Sequence, residues 1–231
     1  MSKKDNSFSE ILASSIHDVK NSIGVLLNSL EMMMDAAGDN KTHSCPTEEL
    51  SQLEYQTKRI SNNLVQLLAI YRIDNENYEP YLQQQSVSEF VDDCITLNAP
   101  LLKGRSITID YECDDSLDWS FDTNLVTGIV NNTIVNSSRY TNGKILISAS
   151  VENGFLRIDI DDNGRGYPDM MLDYGNHKTE IDFTTGSTGL GIHFIDISTK
   201  LHNNGKDSGY MKLANDGRLG GGVLSIFLPP L

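Results

Sequence analysis

The sequence has little that would hold the chain in a membrane, on nucleic acid or in a disulfide framework. No apolar run approaches the roughly 20 residues that a membrane-spanning helix needs, and no apolar segment follows the basic pair Lys3-Lys4. The 18 basic residues are outnumbered by 32 acidic ones, which gives a formal net charge of −14 and argues against a broad cationic face. Three cysteines without a CxxC spacing favour reduced thiols over disulfides or zinc. We therefore expect a cytoplasmic protein that neither enters a membrane nor binds nucleic acid.

What the sequence does have is a long helical pattern in its first third. Apolar residues recur every three or four positions from Ser7 to about Met34, and again from about Leu50 to Ile73. A stretch rich in glycine, asparagine and serine, residues 38–46, separates them. The pattern predicts an antiparallel helical hairpin. Because two helices cannot bury both apolar stripes alone, we expect a homodimer in which two hairpins form a four-helix bundle.

The rest of the chain has a different period. Residues 74–80 are polar and end in Pro80, which predicts a boundary between domains at 1–76 and 80–231. Beyond it, runs that alternate between apolar and polar residues predict strands, and longer runs predict helices. The predicted strands are 81–85, 106–111, 144–151, 156–160 and 223–228, and the predicted helices are 86–97, 124–138 and 190–201. This order predicts an α+β sandwich, a mixed sheet with helices on one face.

The first candidate for chemistry lies in the first predicted helix. His17, Asp18 and Asn21 follow one another within a turn, and His17 and Asn21 share a face that the apolar stripe leaves open. A histidine beside a carboxylate is a plausible nucleophile, because Asp18 can take the proton from one ring nitrogen while the other nitrogen attacks. Taken alone, the same residues are also typical of a solvated helix surface.

A second candidate is the pair Asn132 and Asn136, four residues apart in the predicted helix 124–138. This spacing presents two amide oxygens on one face, and a hard cation such as Mg²⁺ accepts such ligands. Asparagine is a poor helix former, so its repeated use invites a functional interpretation. Ordinary surface amides remain the alternative.

Two glycine-rich segments complete the set. Asp162-Asn163-Gly164-Arg165-Gly166 ends a predicted strand, where a carboxylate can accept a hydrogen bond from an amino group such as that of adenine. Gly186-Ser187-Thr188-Gly189-Leu190-Gly191 opens a predicted helix, whose free N–H groups can face phosphate oxygens. Each is weak alone, because glycine-rich turns and helix caps are common.

In this order, the motifs resemble the transmitter core of sensor histidine kinases, and the likeness covers nearly the whole chain. His17 to Asn21 resembles the phospho-acceptor H box, and Asn132 to Thr141 resembles the N box. The two glycine-rich segments resemble the family's first and second glycine boxes. Trp119-Ser120-Phe121-Asp122 stands where the family has a strand and an aspartate before its N box.

The resemblance implies a helical hairpin that dimerises through a four-helix bundle, followed by an α/β sandwich of the Bergerat type that binds ATP and Mg²⁺. It implies that His17 accepts the γ-phosphoryl group of ATP with Asp18 as its base. Asn21 would position water to dephosphorylate a regulator. The residues implied in the nucleotide site are Asn132, Asn136 as Mg²⁺ ligand, Arg139 near the phosphates, Tyr140 against the base, Asp162 on adenine N6, and Gly164, Gly166, Gly189, Leu190 and Gly191 around the pocket and its lid.

The implied partners are a second copy of the chain and the receiver domain of a response regulator. Only sixteen residues precede His17, so we expect a separate sensor protein to supply the signal. The alternative is a dimeric histidine phosphotransferase that has no kinase activity of its own. The nucleotide motifs argue against it, because a pure relay has no use for them. A kinase of the anti-sigma type is a weaker alternative, because its relatives phosphorylate serine and need no hairpin bearing His17.

Overall fold

The computed structural model describes residues 47–172 and 190–231, together with residues 19, 20, 23, 24, 26, 27 and 30. Those seven earlier residues are helical, as the sequence pattern predicts. The rest of the predicted first helix, and the predicted loop 38–46, lie outside the described residues. Contacts divide the chain into two compact units, residues 1–74 with 181–191 and residues 75–180 with 192–231. The domain limits 1–76 and 80–231 remain a prediction, because about half of the predicted hairpin lies outside the described residues.

The described helices begin and end at identifiable residues. They are α1 (Thr47–Asp74), α2 (Val87–Gly104), α3 (Thr123–Tyr140), α4 (Asp169–Leu172) and α5 (Leu190–Lys200). The Ser86 side chain caps α2 by accepting from the Glu89 N–H at 3.4 Å. Helix α2 runs beyond its predicted end near Leu97 and contains Pro100, because its last turns bury Leu102. Among the helices described, none is both long and apolar enough to cross a membrane.

In the described residues the strands form two sheets. The strands are β1 (Leu82–Ser86), β2 (Thr108–Glu112), β3 (Asp118–Asp122), β4 (Lys144–Glu152), β5 (Phe155–Asp162), β6 (Tyr210–Ala214) and β7 (Val223–Leu228). The larger sheet has the order β2-β4-β5-β7-β6, with β2 parallel to β4 and the other neighbours antiparallel. The smaller sheet pairs β1 with β3 in antiparallel fashion. Strand β6 has no counterpart among the sequence-based predictions.

The β4–β5 hairpin shows how local chemistry sets the register. Its two turn residues, Asn153 and Gly154, have φ values of 51° and 82°, both positive as a type I′ turn requires. Glu152 therefore pairs with Phe155 and Ile147 with Ile160. This register places the apolar residues of both strands on one face of the sheet.

The core lies between that face and the helices. Alternate residues of the three central strands are almost fully buried: Ile145, Ile147, Leu156, Ile158, Ile160, Leu224, Ile226 and Leu228. Helix α3 contributes its own apolar stripe, including Ile129 and Ile134. Burial of each such side chain contributes about 1.5–3 kcal/mol. The α+β class with helices packed on a mixed sheet, predicted from the sequence, is confirmed.

The opposite face of the sheet is polar. Arg157 forms ion pairs with Glu152 at 2.6 Å and with Asp159 at 2.8 Å. Arg218 holds the Glu112 carboxylate through both of its terminal nitrogens, at 2.7 and 3.0 Å. The Arg218–Glu112 pair is more than half exposed on both side chains, and a pair of this kind adds little to stability.

A buried histidine follows helix α5. The His202 Nε2 atom accepts a hydrogen bond from the backbone N–H of Asp122 at 3.0 Å, and Nδ1 lies 2.9 Å from the Ser198 carbonyl oxygen. These partners fit a neutral ring that is protonated on Nδ1. Burial lowers the pKa of His202 below its ordinary value of 6.5.

The lowered pKa of His202 predicts an acid-sensitive fold. Because the unfolded chain takes up this proton first, the stabilisation is complete above about pH 7 and declines as the pH falls below 6.5. The limiting slope is about 1.4 kcal/mol per pH unit. The free energy of unfolding is measured with denaturant at fixed protein concentration, between pH 7.5 and 5.5. It should fall less steeply with falling pH for His202→Gln than for wild type. Equal pH dependence in the two proteins would contradict a buried, neutral His202.

Candidate nucleotide-binding site

The candidate site is built first on helix α3, whose start is fixed by Asp122. The Asp122 backbone is extended, and its Oδ1 accepts a hydrogen bond from the Leu125 N–H at 3.0 Å. This is an N-cap, which satisfies one of the free N–H groups at the helix start. The predicted helix 124–138 thus extends over Thr123–Tyr140.

The asparagines of α3 have different environments. The Asn131 Oδ1 atom accepts from the Asn98 amide of α2 at 2.7 Å and so serves helix packing. Asn132 and Asn136 are half-buried and follow each other by one turn. The buried Asn132 Nδ2 has no hydrogen-bond partner within the described part of the chain. Since a buried donor without a partner is costly, a ligand that accepts this hydrogen bond would stabilise the site.

The second component is the turn after β5. Asp162 is the last residue of that strand and is 6% exposed. Its Oδ1 accepts from the Gly164 N–H at 2.8 Å, which closes the turn. The Oδ2 atom is not used in this bond and can accept from an amino group.

Glycine at position 164 brings the turn and the helix together. A Cβ atom added to Gly164 would collide with the carbonyl oxygen of Tyr140, the last residue of α3. At Gly166 the φ angle is +78°, and a Cβ atom would lie 2.5 Å from Asn215 Oδ1. Both positions therefore exclude side chains, and the close approach sets the Asp162 turn against the end of the helix that carries Asn136.

Two further asparagines brace this arrangement, and neither was predicted as a site residue. The Asn163 Oδ1 atom accepts from Thr141 Oγ1 at 2.6 Å and from the N–H groups of Asn142 and Lys144, each at 3.0 Å. The Asn215 side chain accepts from the Tyr167 N–H at 2.6 Å and donates to the Tyr167 carbonyl at 2.8 Å. Both bonds hold the backbone around the glycine turn in place.

Tyr140 stands beside two guanidinium groups. The Arg165 Cζ atom lies 5.1 Å from the centre of the Tyr140 ring, and the Arg139 Cζ atom lies 5.5 Å from it. Both distances fit a cation–π contact. The Tyr140 side chain is still 39% exposed. The sequence predicts roles for Tyr140 and Arg139, but it gave no role to Arg165.

Burial shifts the pKa values of two ionisable groups in or beside the turn and of one cysteine in α2. Burial raises the pKa of Asp161, which is 1% exposed and accepts from the Arg218 N–H at 2.8 Å. Burial also raises the pKa of Tyr167 and raises that of Cys94 to about 12. The Cys94 thiol therefore stays protonated at neutral pH, in agreement with a structural cysteine.

The described residues also form a cavity of about 610 Å³ on the polar face of the sheet. Asp159, Asp161 and Arg218 help to line it. None of the predicted nucleotide residues is part of this lining. The cavity is therefore separate from the candidate site.

The remaining predicted site residues fall in two groups. Leu190 is the first residue of α5 and is fully buried, and Gly191 follows it in the first turn. His17, Asp18, Asn21 and Gly189 lie outside the described residues. The roles assigned to all these residues stay predictions.

The geometry fits a bound nucleotide. The buried Asn132 amide lacks a partner within the described residues, and Asn136 lies one turn further on. Gly164 lets the Asp162 turn approach the end of that helix closely. An amide oxygen is also a suitable ligand for Mg²⁺. A carboxylate that terminates a strand beside them provides a directional acceptor.

Part of the chain matches a known protein family, and most of the chain is similar to known histidine kinases. Residues 121–230 match the family described as histidine kinase-, DNA gyrase B- and HSP90-like ATPases. The sensor histidine kinase GraS of Staphylococcus haemolyticus is 23% identical over 185 residues, 78% of this chain and 51% of that protein. The sensor histidine kinase CpxA of Escherichia coli is 25% identical over 199 residues, 82% of this chain and 41% of that protein. These matches support a histidine kinase transmitter core.

The fold of this transmitter core agrees with a solved relative. The histidine kinase AdeS of Acinetobacter baumannii superposes with a TM-score of 0.65 at 17% identity, over 92% of this chain and 97% of that one. The family predicted from the ordered motifs is confirmed, and residues 121–230 form its ATP-binding domain. The chain spans about half the length of GraS and about two fifths of CpxA.

Proposed function

We propose that this chain is an ATP-dependent protein histidine kinase that phosphorylates His17. The observation that carries the proposal is the contact between Gly164 and the Tyr140 carbonyl. This contact joins the carboxylate turn of Asp162 to the helix of Asn132 and Asn136. It supports one site that binds both the base and the phosphates of ATP.

Each part of that site would bind a different part of the nucleotide. Asp162 Oδ2 would accept a hydrogen bond from the adenine amino group, and Tyr140 would pack against the base. Arg139 would lie near the phosphates. Gly164, Gly166, Gly189, Leu190 and Gly191 would shape the pocket and its lid, and glycine allows the backbone N–H groups to approach phosphate oxygens.

The phosphates also require a divalent cation. Asn136 would be its protein ligand, with Asn132 close by on the same helix face. Bound Mg²⁺ would neutralise negative charge on the phosphate oxygens, which is the main requirement of phosphoryl transfer. This requirement suits an acidic chain, because the metal supplies the positive charge locally.

The transfer step uses the residues of the first helix. One ring nitrogen of His17 attacks the γ-phosphorus, so that an N–P bond forms as the bond from phosphorus to the ADP oxygen breaks. Asp18 takes the proton from the other ring nitrogen, and ADP leaves. The product is a phosphohistidine, whose phosphoryl group can pass to an aspartate in the receiver domain of a response regulator.

Exposed apolar residues support a homodimer. On α1, Leu64, Leu68 and Tyr71 are each about half exposed, at 52%, 51% and 52%. Their spacing of four and three residues places them on one face of the helix. In the earlier helical stretch, Ile23, Leu27 and Leu30 have the same spacing and are 43%, 54% and 40% exposed. A second copy of the hairpin would cover both stripes in a four-helix bundle.

Asn21 extends the proposal to regulator dephosphorylation. Its amide would position the water that attacks the phosphorylated aspartate of the regulator. We expect Asn21→Ala to keep autophosphorylation within about twofold of wild type and to slow regulator dephosphorylation by about tenfold or more, a difference of about 1.4 kcal/mol. The measurement is the decay of labelled receiver domain in the presence of each variant. Equal decay rates would remove this role.

The test of the kinase proposal is incubation of the purified chain with γ-labelled ATP and Mg²⁺. Acid-labile label on the protein is expected, because a phosphoramidate hydrolyses in acid and a phosphate ester does not. Kinase activity would be overturned if the chain binds nucleotide but no label appears on the chain or on an added receiver domain, even in the presence of candidate sensor proteins. Label acquired only from another phosphoprotein would establish the phosphotransferase alternative.

A further inference from the structure

Asp122 joins the start of α3 to two segments that are distant in the sequence. It is 1% exposed. Its Oδ1 caps α3 at the Leu125 N–H. Its Oδ2 accepts from the Tyr78 hydroxyl at 3.0 Å and from the Tyr81 N–H at 2.8 Å. The backbone N–H of the same residue donates to His202, after helix α5.

Two of these bonds fasten the segment that leads from α1 into β1. Tyr78 is half-buried and uses its hydroxyl, whereas Tyr81 uses its backbone and leaves its side chain exposed. Hydrogen bonds to a buried carboxylate are among the stronger ones in proteins. The segment 75–81 is therefore attached to the residue that starts the helix of the nucleotide site.

The Asp122 carboxylate links the capping of α3 energetically to the attachment of segment 75–81, because the same group accepts both sets of bonds. Loss of the Tyr78 bond leaves Asp122 Oδ2 with the Tyr81 N–H, so the carboxylate can rotate and loosen the cap on Leu125. Helix α3 is continuous from Asp122 to Asn132 and Asn136, and a shift at its first turn moves both asparagines. Because the interior around α3 is close-packed, such a displacement is transmitted along the helix to Asn132 and Asn136.

We propose that Tyr78 is a positioning residue for the nucleotide site, which through Asp122 couples the segment 75–81 to helix α3. The proposal rests on the nucleotide-binding part of the proposed function. Because coupling between sites is reciprocal, nucleotide binding must also tighten the attachment of this segment. Neither Tyr78 nor the segment touches the nucleotide; the effect passes through the Asp122 carboxylate.

The chain provides a matched pair of variants for the test. Tyr78→Phe removes the hydroxyl that donates to Asp122, whereas Tyr81→Phe removes an exposed hydroxyl and keeps the backbone donor. The full chain is titrated with a fluorescent ATP analogue and Mg²⁺. Amide hydrogen exchange is followed at Tyr78, Glu79, Tyr81 and Leu125. Tyr78→Phe should raise the dissociation constant about fivefold, the lower end of ordinary coupling, and should speed exchange at Leu125. Tyr81→Phe should match wild type in both.

A second variant separates capping from coupling. Asp122→Ser keeps an oxygen that caps α3 and removes the second oxygen, which holds segment 75–81. Because it also loses the bond to the Tyr81 N–H, it should raise the dissociation constant at least as much as Tyr78→Phe does. Adding Tyr78→Phe to it should change nothing further. In wild type, nucleotide should slow exchange at the Tyr81 amide, and this protection should be lost in Tyr78→Phe.

The outcomes distinguish the two proposals. Normal nucleotide binding with identical behaviour of Tyr78→Phe and Tyr81→Phe overturns the coupling and leaves the proposed function intact. Additive effects of Tyr78→Phe and Asp122→Ser also overturn the coupling. Absence of nucleotide binding in wild type overturns the proposed function, and with it the link to the nucleotide site.

Discussion

A His17→Ala variant will incorporate no acid-labile phosphate from γ-labelled ATP under conditions in which wild type does. The imidazole is the proposed nucleophile, and alanine offers no atom that can form the N–P bond. Loss of a covalent nucleophile typically lowers the rate on the order of a thousandfold or more, so the label should fall to background. Nucleotide affinity should stay within about twofold of wild type, because the predicted nucleotide residues are elsewhere in the chain.

Two further variants test whether the loss of label is specific to His17 and whether labelling depends on the proposed Mg²⁺ ligand. His43→Ala removes a histidine from the predicted loop 38–46 and should keep the label. Asn136→Ala removes the proposed Mg²⁺ ligand and should lose both the label and tight binding of the nucleotide with Mg²⁺. Label retained by His17→Ala, or lost in His43→Ala instead, would show that another residue is the acceptor. Label that survives acid treatment would indicate a hydroxyl acceptor and refute histidine chemistry.

Local patterns predicted the elements that carry the site. The helix of Asn132 and Asn136 and the strand that ends at Asp162 both follow strong apolar periods. Strand β6 (Tyr210–Ala214) was missed because it is short, half-exposed and at the edge of the sheet. Helix α2 was ended too early because Pro100 normally stops a helix, and here the burial of Leu102 favours continuation.

The residues that brace the site could not be predicted from spacing. Asn215 contacts Tyr167 from 48 positions away, and Tyr78 contacts Asp122 from 44. Such pairs are set by tertiary packing, and single-sequence patterns extend over one or two turns of helix or a few residues of strand. Asn163 was visible as a turn residue, but its three donors come from the chain that follows α3. The motifs thus indicated which residues contact the ligand, while the supporting contacts required the fold.

Asp162→Asn will weaken nucleotide binding far more than the same change at the neighbouring Asp161. The Asp162 carboxylate is the proposed acceptor for the adenine amino group, and an asparagine in its place can turn an NH₂ group toward that amine. Loss of a hydrogen bond to a charged group costs about 1.5–3 kcal/mol, which corresponds to a dissociation constant about 10- to 150-fold higher.

Asp161 is a closely matched control for this change. It precedes Asp162 in β5, is similarly buried, and also accepts a backbone hydrogen bond, from Arg218. Successive residues of a strand point to opposite faces of the sheet, and Asp161 lines the cavity on the polar face. Asp161→Asn therefore tests the loss of a buried carboxyl group at the same level of the strand without touching the candidate site.

The comparison requires affinities for ATP and for an analogue that lacks the 6-amino group, measured by calorimetry on the folded variants. Wild type and Asp161→Asn should bind ATP with dissociation constants within about threefold of each other and should discriminate against the analogue. Asp162→Asn should bind ATP weakly and lose that discrimination, because the group that recognises the amine is gone. Equal losses in the two variants would place the effect in the stability of β5 rather than in recognition of adenine.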